Sequence, residues 1–304
     1  MRTLIFALFL CLAIGPATAQ KSGLSFLRIG PNAEAGAMGD AQVAHTADAY
    51  STFWNPAGLA AAERNSASLS YYAWVLDTHT YSAAARFRMG SRGAIGLFAT
   101  AMGSGDLEAR TGPGEPDGTF GVEFVSAGAS YARQVGPIRA GVTAKHLTER
   151  IFTRTAYGYA VDVGLQLDLL GGDVGAGAVL QNVGKMSELD EEATNLPRAA
   201  RFGVAVYPLD VLLSDDDAIL LRTLLTAEVA HFFETDETRV HVGAAAELLD
   251  TIVLRGGYVT NDALRGLSLG LGFRYDGVVF DYAFVPFASG FEGPGHLLTM
   301  SYGW

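Results

Sequence analysis

HLLTMSYGW, residues 296–304, alternates with a period of two. Leu298, Met300, Tyr302 and Trp304 share one parity, and Leu297, Thr299, Ser301 and Gly303 share the other. In a strand the two parities face opposite ways. One face is therefore apolar and aromatic, and the other is small or polar. That pattern suits a strand with lipid outside and a crowded or polar lumen inside. Upstream segments repeat it. Val278, Phe280, Tyr282 and Phe284 oppose Asp281 and Ala283. Leu267, Leu269, Leu271, Phe273 and Tyr275 oppose Ser268, Gly270, Gly272 and Arg274. Tyr157, Tyr159, Val161, Val163, Leu165 and Leu167 oppose Asp162 and Gln166.

Working back to Ser66 gives fourteen such segments, near 66–76, 78–88, 92–102, 120–133, 138–149, 155–169, 172–182, 199–208, 219–233, 238–248, 250–259, 264–275, 277–287 and 295–304. An even number is what bacterial single-chain barrels have, and it puts both barrel ends on the periplasmic side. Connection lengths offer an independent check, because periplasmic turns are short and outer loops longer. Met89-Gly90-Ser91, Gln134 to Pro137, Leu170-Gly171, Leu249 and Asp276 are short, where a periplasmic start requires it. Leu209 to Ala218, with Asp215-Asp216-Asp217, breaks the rule. Gly103 to Thr119, Val183 to Arg198 and Ala288 to Pro294 are long and fall outside. The first two are acidic; they read as solvated loops or as a cation-bridged or partner-binding surface.

Composition agrees. Charged residues make up only 17% of the 304, against about 25% in a soluble domain. Glycine supplies 37 residues, well above the usual ~7%. Mean hydropathy is positive, yet no apolar run reaches transmembrane-helix length. A soluble β-sandwich also alternates, but its outer parity is polar, whereas the apolar parity here is rich in Leu, Val, Phe and Tyr. The reading is an all-β chain: a fourteen-stranded antiparallel transmembrane β-barrel, closed so that lipid meets no unpaired backbone.

Met1-Arg2-Thr3, the apolar run Leu4 to Ile14, the Gly15-Pro16 break and Ala17-Thr18-Ala19 read as a secretory signal peptide over residues 1–19. Eleven apolar residues are too few to cross a ~30 Å hydrocarbon core, which takes roughly 20. Cys11 leaves with this leader, so the mature chain offers no disulfide, thiolate or Cys-metal chemistry. Without Arg2 the chain carries 20 basic and 32 acidic residues, a net −12. Such a balance disfavours nucleic acid, which wants a basic face.

Residues 20–62 differ from the barrel, residues 63–304. Ala33, Ala35, Ala37, Met38, Ala41, Ala44 and Ala47 favour helix. Pro31 suits a helix start. Asn55-Pro56 ends any helix, and Ala57-Gly58 keeps the turn small. A helix of small residues, roughly 10 Å across, fits a fourteen-stranded lumen. The expectation is a short N-terminal helical plug in the lumen; the alternative is a periplasmic extension.

The stretch Phe26 to Ala60 resembles the start of the PorV/PorQ family, outer-membrane relatives of the FadL-like channels. Ile29-Gly30-Pro31, Ala37-Met38-Gly39-Asp40-Ala41, Val43-Ala44, Asp48 and Asn55-Pro56-Ala57-Gly58-Leu59 carry the similarity. Leu180 to Gly184, Asn195 to Val206, Val253 to Tyr258, Leu267 to Phe273 and Asp281 to Phe287 extend it. The resemblance implies a FadL-like barrel with a lumenal N-terminal segment, located in the bacterial outer membrane and exported by a cleavable leader. For some members it implies a part in type IX secretion, as cargo carrier or in the cargo-attachment complex.

Two functions follow as expectations. One is a secretion-associated barrel that binds secretion-system proteins or secreted cargo. The other is a FadL-like passive channel for hydrophobic small molecules. Outer-membrane lipid is a partner in either case. The plug and turn residues are Met38, Gly39, Asp40, Asn55, Pro56, Ala57, Gly58 and Leu59. Lumen-lining candidates are Arg86, Arg88, Glu123, Arg139, Lys145, Asp162, Arg222, Glu228, Glu247, Arg255, Arg274 and Asp281. They either line a path or pair with one another and with the plug to rigidify a closed pore. An enzyme is not expected. The histidines, His45, His79, His146, His231, His241 and His296, are scattered, and neither a Gly-x-Ser-x-Gly elbow nor a His-x-x-x-His spacing occurs. No metal or cofactor is expected.

Overall fold

Strands account for most of the chain. The computed structural model describes residues 23–61, 64–75, 77–105, 107–110, 112–209, 221–288 and 293–304. The expected leader and the Asp215-Asp216-Asp217 run lie outside these. In chain order the strands are β1 (Ser66–Ala73), β2 (His79–Arg88), β3 (Ala94–Gly103), β4 (Leu107–Ala109), β5 (Gly118–Phe120), β6 (Val122–Val135), β7 (Ile138–Ile151) and β8 (Arg154–Leu169). There follow β9 (Val174–Met186), β10 (Ala199–Val206), β11 (Leu221–Phe232), β12 (Glu237–Leu248), β13 (Ile252–Val259), β14 (Leu267–Tyr275), β15 (Val278–Val285) and β16 (Gly295–Gly303). Each of the fourteen expected segments contains one strand of a single closed antiparallel barrel. β4 and β5 form a separate hairpin in the long outer connection before β6, a feature the alternation did not predict.

Closure joins β1 to β16, from Ser66 opposite Gly303 to Ala73 opposite His296. No sheet edge is left to lipid, where each unpaired backbone group would cost several kcal/mol. The parities divide as read. Leu267, Leu269 and Leu271 are about half exposed on the outer wall, whereas Ser268 between them is 3% exposed. Leu298, Met300, Tyr302 and Trp304 face out, while Leu297 and Thr299 face in. Aromatic rings gather at both ends of the wall. Trp304 stacks on Tyr302 and meets Phe87 edge-on at the short-turn end. At the other end the Tyr71 hydroxyl bonds to His79 and that of Tyr282 to His296, each at 2.8 Å. Such rings, apolar in body with a polar tip, suit the two lipid–water boundaries. Four of the six histidines, His79, His146, His231 and His296, lie on this outer parity beside aromatic rings.

The N-terminal segment departs from the expected single helix. It forms two short α-helices, α1 (Ala33–Ala37) and α2 (Ser51–Trp54), and two 3-10 turns, Ser25–Arg28 and Pro56–Ala60. Helix propensity alone does not sustain pieces this short. α1 stops because Gly39 and Asp40 take left-handed backbone, φ 62° and 64°. Glycine adopts this freely, and Asp is among the few other residues that tolerate it. α2 stops where the sequence said. Asn55 is extended (φ −155°, ψ 107°), as the residue before a proline prefers. Pro56 then opens a new turn at the position where its missing N–H costs nothing, and the Asn55 side chain accepts from Ala57 N at 3.2 Å. Asn55-Pro56 thus ends one turn and begins the next.

Candidate functional site

Residues 24–60 are almost wholly buried within the barrel, so the site is the interface between this segment and the inner wall. An irregular backbone at membrane depth is tolerated only if its polar groups find partners. The inner wall supplies them. On the carbonyl side, Gln181 donates to Phe53 and Trp54 (2.8 and 3.2 Å), and Gln166 to Val43 and Thr46 (3.0 and 3.2 Å). Thr143 donates to Thr52, Arg201 to Asp40 and Ser268 to Ala37, at 3.1–3.2 Å. His241 Nδ1 donates to Gly39 O at 2.7 Å, and Arg86 Nε to Leu59 O at 2.6 Å. On the amide side, Ala33 N donates to Thr299 at 2.8 Å, and Gln42 N and Val43 N both reach Glu228 Oε2 at 3.0 Å. Asn55, fully buried, links both partners: its Nδ2 donates to Val43 O and to Leu165 O of β8, at 2.9 and 3.0 Å.

Close approach requires small residues on both sides. A methyl group at Gly257 of β13 would lie 2.1 Å from Gly39 N, and one at Gly141 of β7 would lie 2.4 Å from the Pro56 carbonyl carbon. Gly58 is pressed against Thr46 O in the same way. Of the other turn residues, Met38 packs with Ala44, Ala205 and Leu224, and Leu59 with Ala94 and Ala132. Pro56 and Ala57 are buried against the β7 backbone.

Charges pair across the same interface. Glu228 of β11 meets Arg201 of β10 at 2.5 Å, and the Arg201 guanidinium lies 5.0 Å from the centre of the Trp54 ring. Arg255 bridges Asp281 at 2.6 Å and Glu34 of α1 at 3.6 Å. Lys145 pairs with Asp162 at 2.8 Å. Asp162 also accepts from Asn182 N where the β8–β9 register slips, at the Leu180 to Gly184 stretch. Arg139 pairs with Asp168, and Arg274 with Glu247. Three of the twelve lumen candidates are exposed at strand ends: Arg88, Glu123 and Arg222, the last at the border of the periplasmic recess. Glu123 meets Arg150 at 3.6 Å, and Arg222 lies over the Tyr207 ring.

Several contributors were not among the expected lumen-lining residues. Arg201, His241, Gln166 and Gln181 all hold the segment, and the inward parity of their strands could have found them. Asp40 bonds Arg265 at 2.6 Å, and Asp262 pairs with both Arg265 and Arg239. Burial opposes the Asp262 charge, but the two arginines outweigh it and hold the carboxyl below its ordinary pKa. Asp262 and Arg265 come from the β13–β14 connection at the outer end, for which the alternation gives no register.

At the periplasmic end a recess of about 250 Å³ is bordered by Glu34, His45, Asp48, Arg222, Glu247 and Arg274. Burial, and then the neighbouring Glu34 carboxylate, push Asp48 up to about 7. A free carboxyl titrates near 4. The folded state therefore holds this proton up to about pH 7, and stability falls as pH rises from about 4 to 7. Asp48→Asn removes that penalty. The variant is expected to unfold at a higher temperature than wild type at pH 8 and at an unchanged temperature at pH 4, read by the gel shift of the folded barrel. An equal midpoint at pH 8 would contradict this placement of Asp48.

A closed antiparallel barrel with an apolar, aromatic-belted outer wall and a polar, filled interior is an outer-membrane β-barrel. The known proteins that it resembles fall in the same class. Residues 17–136 match the family model described as Type IX secretion system protein PorV. Among solved structures, the Pseudomonas putida toluene transporter TodX aligns over 90% of this chain and 99% of its own, at 12% identity and a TM-score of 0.63. The Ralstonia pickettii toluene transporter TbuX aligns over 90% and 98%, at 13% and 0.58. A Pseudomonas aeruginosa FadL homologue aligns over 90% and 98%, at 10% and 0.54. No match is found among curated proteins. The chain thus has the fold of the FadL-like barrels, with a PorV-like N-terminal part.

Proposed function

We propose that this barrel serves protein secretion in the outer membrane as a closed docking partner for secretion proteins or their cargo, of the type IX kind. The observation that carries the reading is the packing of residues 24–60. Their backbone meets the inner wall at glycine contacts that leave no space for a methyl group, and their carbonyls are held by wall side chains. A barrel so filled is suited to presenting its outer loops, not to passing solutes. The PorV match over residues 17–136 supports the same reading. Purification of the intact barrel from native outer membranes, with mass spectrometry of what accompanies it, tests this. Secretion components or secreted proteins are expected; a barrel that carries only lipid would overturn it.

The second reading, a channel for hydrophobic small molecules, draws on an apolar hollow of about 820 Å³ in the outer wall. Leu69, Tyr81, Leu271, Phe280 and Leu298 border it, and alanines floor it. The toluene transporters share the fold. Under this reading, uptake of a hydrophobic solute into proteoliposomes would exceed that of empty vesicles.

A further inference from the structure

Ladder pairing places two histidines on the lipid face with one small residue between them. His296 of β16 and His79 of β2 both lie opposite Ala73 of β1, one on each side of it. Two strand spacings, about 10 Å, separate them. Each ring is held in the same way. Nδ1 of His79 bonds to the Tyr71 hydroxyl and Nδ1 of His296 to the Tyr282 hydroxyl, at 2.8 Å, and each pair of rings is stacked. A hydroxyl that donates to Nδ1 leaves the imidazole proton on Nε2. Neither Nε2 has a partner among the described residues. Both histidines stand at the end away from the short turns, so they lie at the outer lipid–water boundary.

An apolar furrow runs down the wall from beneath this pair. Its upper part is the hollow of about 820 Å³, whose upper edge is the paired row Tyr282, Leu298, Tyr71 and Tyr81, next below the histidines. A second hollow of about 610 Å³ continues it past Ala85 and Leu97, and the two share Leu69, Ala83, Ala99 and Met300. From Tyr81 to Ala85 is about 14 Å along β2, close to the depth of one leaflet of a ~30 Å hydrocarbon core. The wall beneath is unbroken, since β1, β2 and β3 pair without a slip in register.

We infer that this part of the wall binds one phosphate-bearing lipid of the outer leaflet, with an acyl chain in the furrow and the phosphate between His79 and His296. Two N–H···O bonds of about 2.9 Å, one on either side of a phosphate, cover most of the gap between the rings. Bonds to an ionised acceptor are roughly twice as strong as neutral ones. Tyr71 and Tyr282 are positioning residues that fix the rings. An apolar furrow at hydrocarbon depth, with donors directly above it at the boundary, matches the two parts of one amphiphile. Free phosphate would leave the furrow empty, and a lipid without phosphate would leave the imidazoles unbonded. Further along the same row Glu123 and Arg150 pair with each other at 3.6 Å and add no net charge. The site lies outside the lumen and goes beyond the secretion role.

Native mass spectrometry of the intact barrel in detergent tests this, with dimyristoyl phosphatidate and dimyristoylglycerol as probes. They share their chains and differ in the phosphate. The wild type is expected to retain one phosphatidate, and dimyristoylglycerol about tenfold less. His79→Ala combined with His296→Ala should lower phosphatidate retention to the dimyristoylglycerol level. Ala83→Trp, which fills the furrow, should abolish retention of either lipid. Excess inorganic phosphate should not displace the bound lipid. Each variant is checked for the gel shift of a folded barrel. Equal retention of the two lipids by the wild type, or unchanged phosphatidate retention in the double variant, would overturn the phosphate seat. Unchanged retention in Ala83→Trp, or displacement by inorganic phosphate alone, would overturn the chain seat.

Discussion

Gly257→Val is expected to unseat the N-terminal segment. The first carbon of the new side chain would lie 2.1 Å from Gly39 N and 2.2 Å from the Met38 carbonyl carbon. Both are backbone atoms, so no side-chain rotation relieves the clash. Gly39 cannot readily move, because its left-handed backbone is pinned by Ser268 and by His241 on either side of its peptide group. Overpacking in a tight interior costs typically about 1–3 kcal/mol; loss of those two hydrogen bonds adds about 1 kcal/mol each. The expected total is about 3–5 kcal/mol, drawn from the segment and not from the strands. Barrel assembly should survive, since residue 257 keeps its ladder partners Gly243 and Ser268. The checks are proteolysis of the segment in detergent, faster than in wild type, and a lower unfolding temperature. A variant as protease-resistant as wild type would show that the segment does not meet the wall at Gly257.

Glu228→Ala should act at a second point with similar size. One buried carboxylate neutralises Arg201 and caps the amides of Gln42 and Val43. Its removal leaves the buried Arg201 guanidinium without the carboxylate that neutralises it, which costs about 3–5 kcal/mol. Combining Glu228→Ala with Arg201→Met should recover much of that loss, because an unpaired charge is what makes the single variant costly. The two amides stay unpaired in both, so recovery is expected to be incomplete. Equal stability of the single and double variants, in thermal unfolding followed by gel shift, would contradict the pairing.

The barrel was legible because a period of two over about ten residues fixes face, length and order together. Leu267 to Tyr275 and His296 to Trp304 show this plainly, since each outward residue there is apolar or aromatic. The interior was legible only in part. Asp162, Lys145, Glu228, Arg255 and Asp281 were visible as single charges on the inward parity, but parity does not say which strand faces which across a lumen. The Glu228–Arg201 pair joins neighbouring strands diagonally, Gly203 lying opposite Glu228 and Arg201 opposite Ala230. By contrast, the contact of Glu228 with Gln42 and Val43 depends on how the segment threads the barrel, which no local pattern encodes. The helix expectation missed for the same reason. Alanine-rich sequence favours helix in isolation, but wall side chains here take the carbonyls that a helix would have bonded. Asn55-Pro56 was correctly read as a stop, yet the role of the Asn55 amide in joining Val43 to β8 is a tertiary fact.

The proposed docking role requires residues 24–60 to close the lumen. Planar-bilayer conductance of the purified wild-type barrel tests it most directly. Insertions of the wild type are expected to add no resolvable current, whereas Gly257→Val or Glu228→Ala should give discrete conductance steps. Steady ohmic steps from the wild type itself would contradict it.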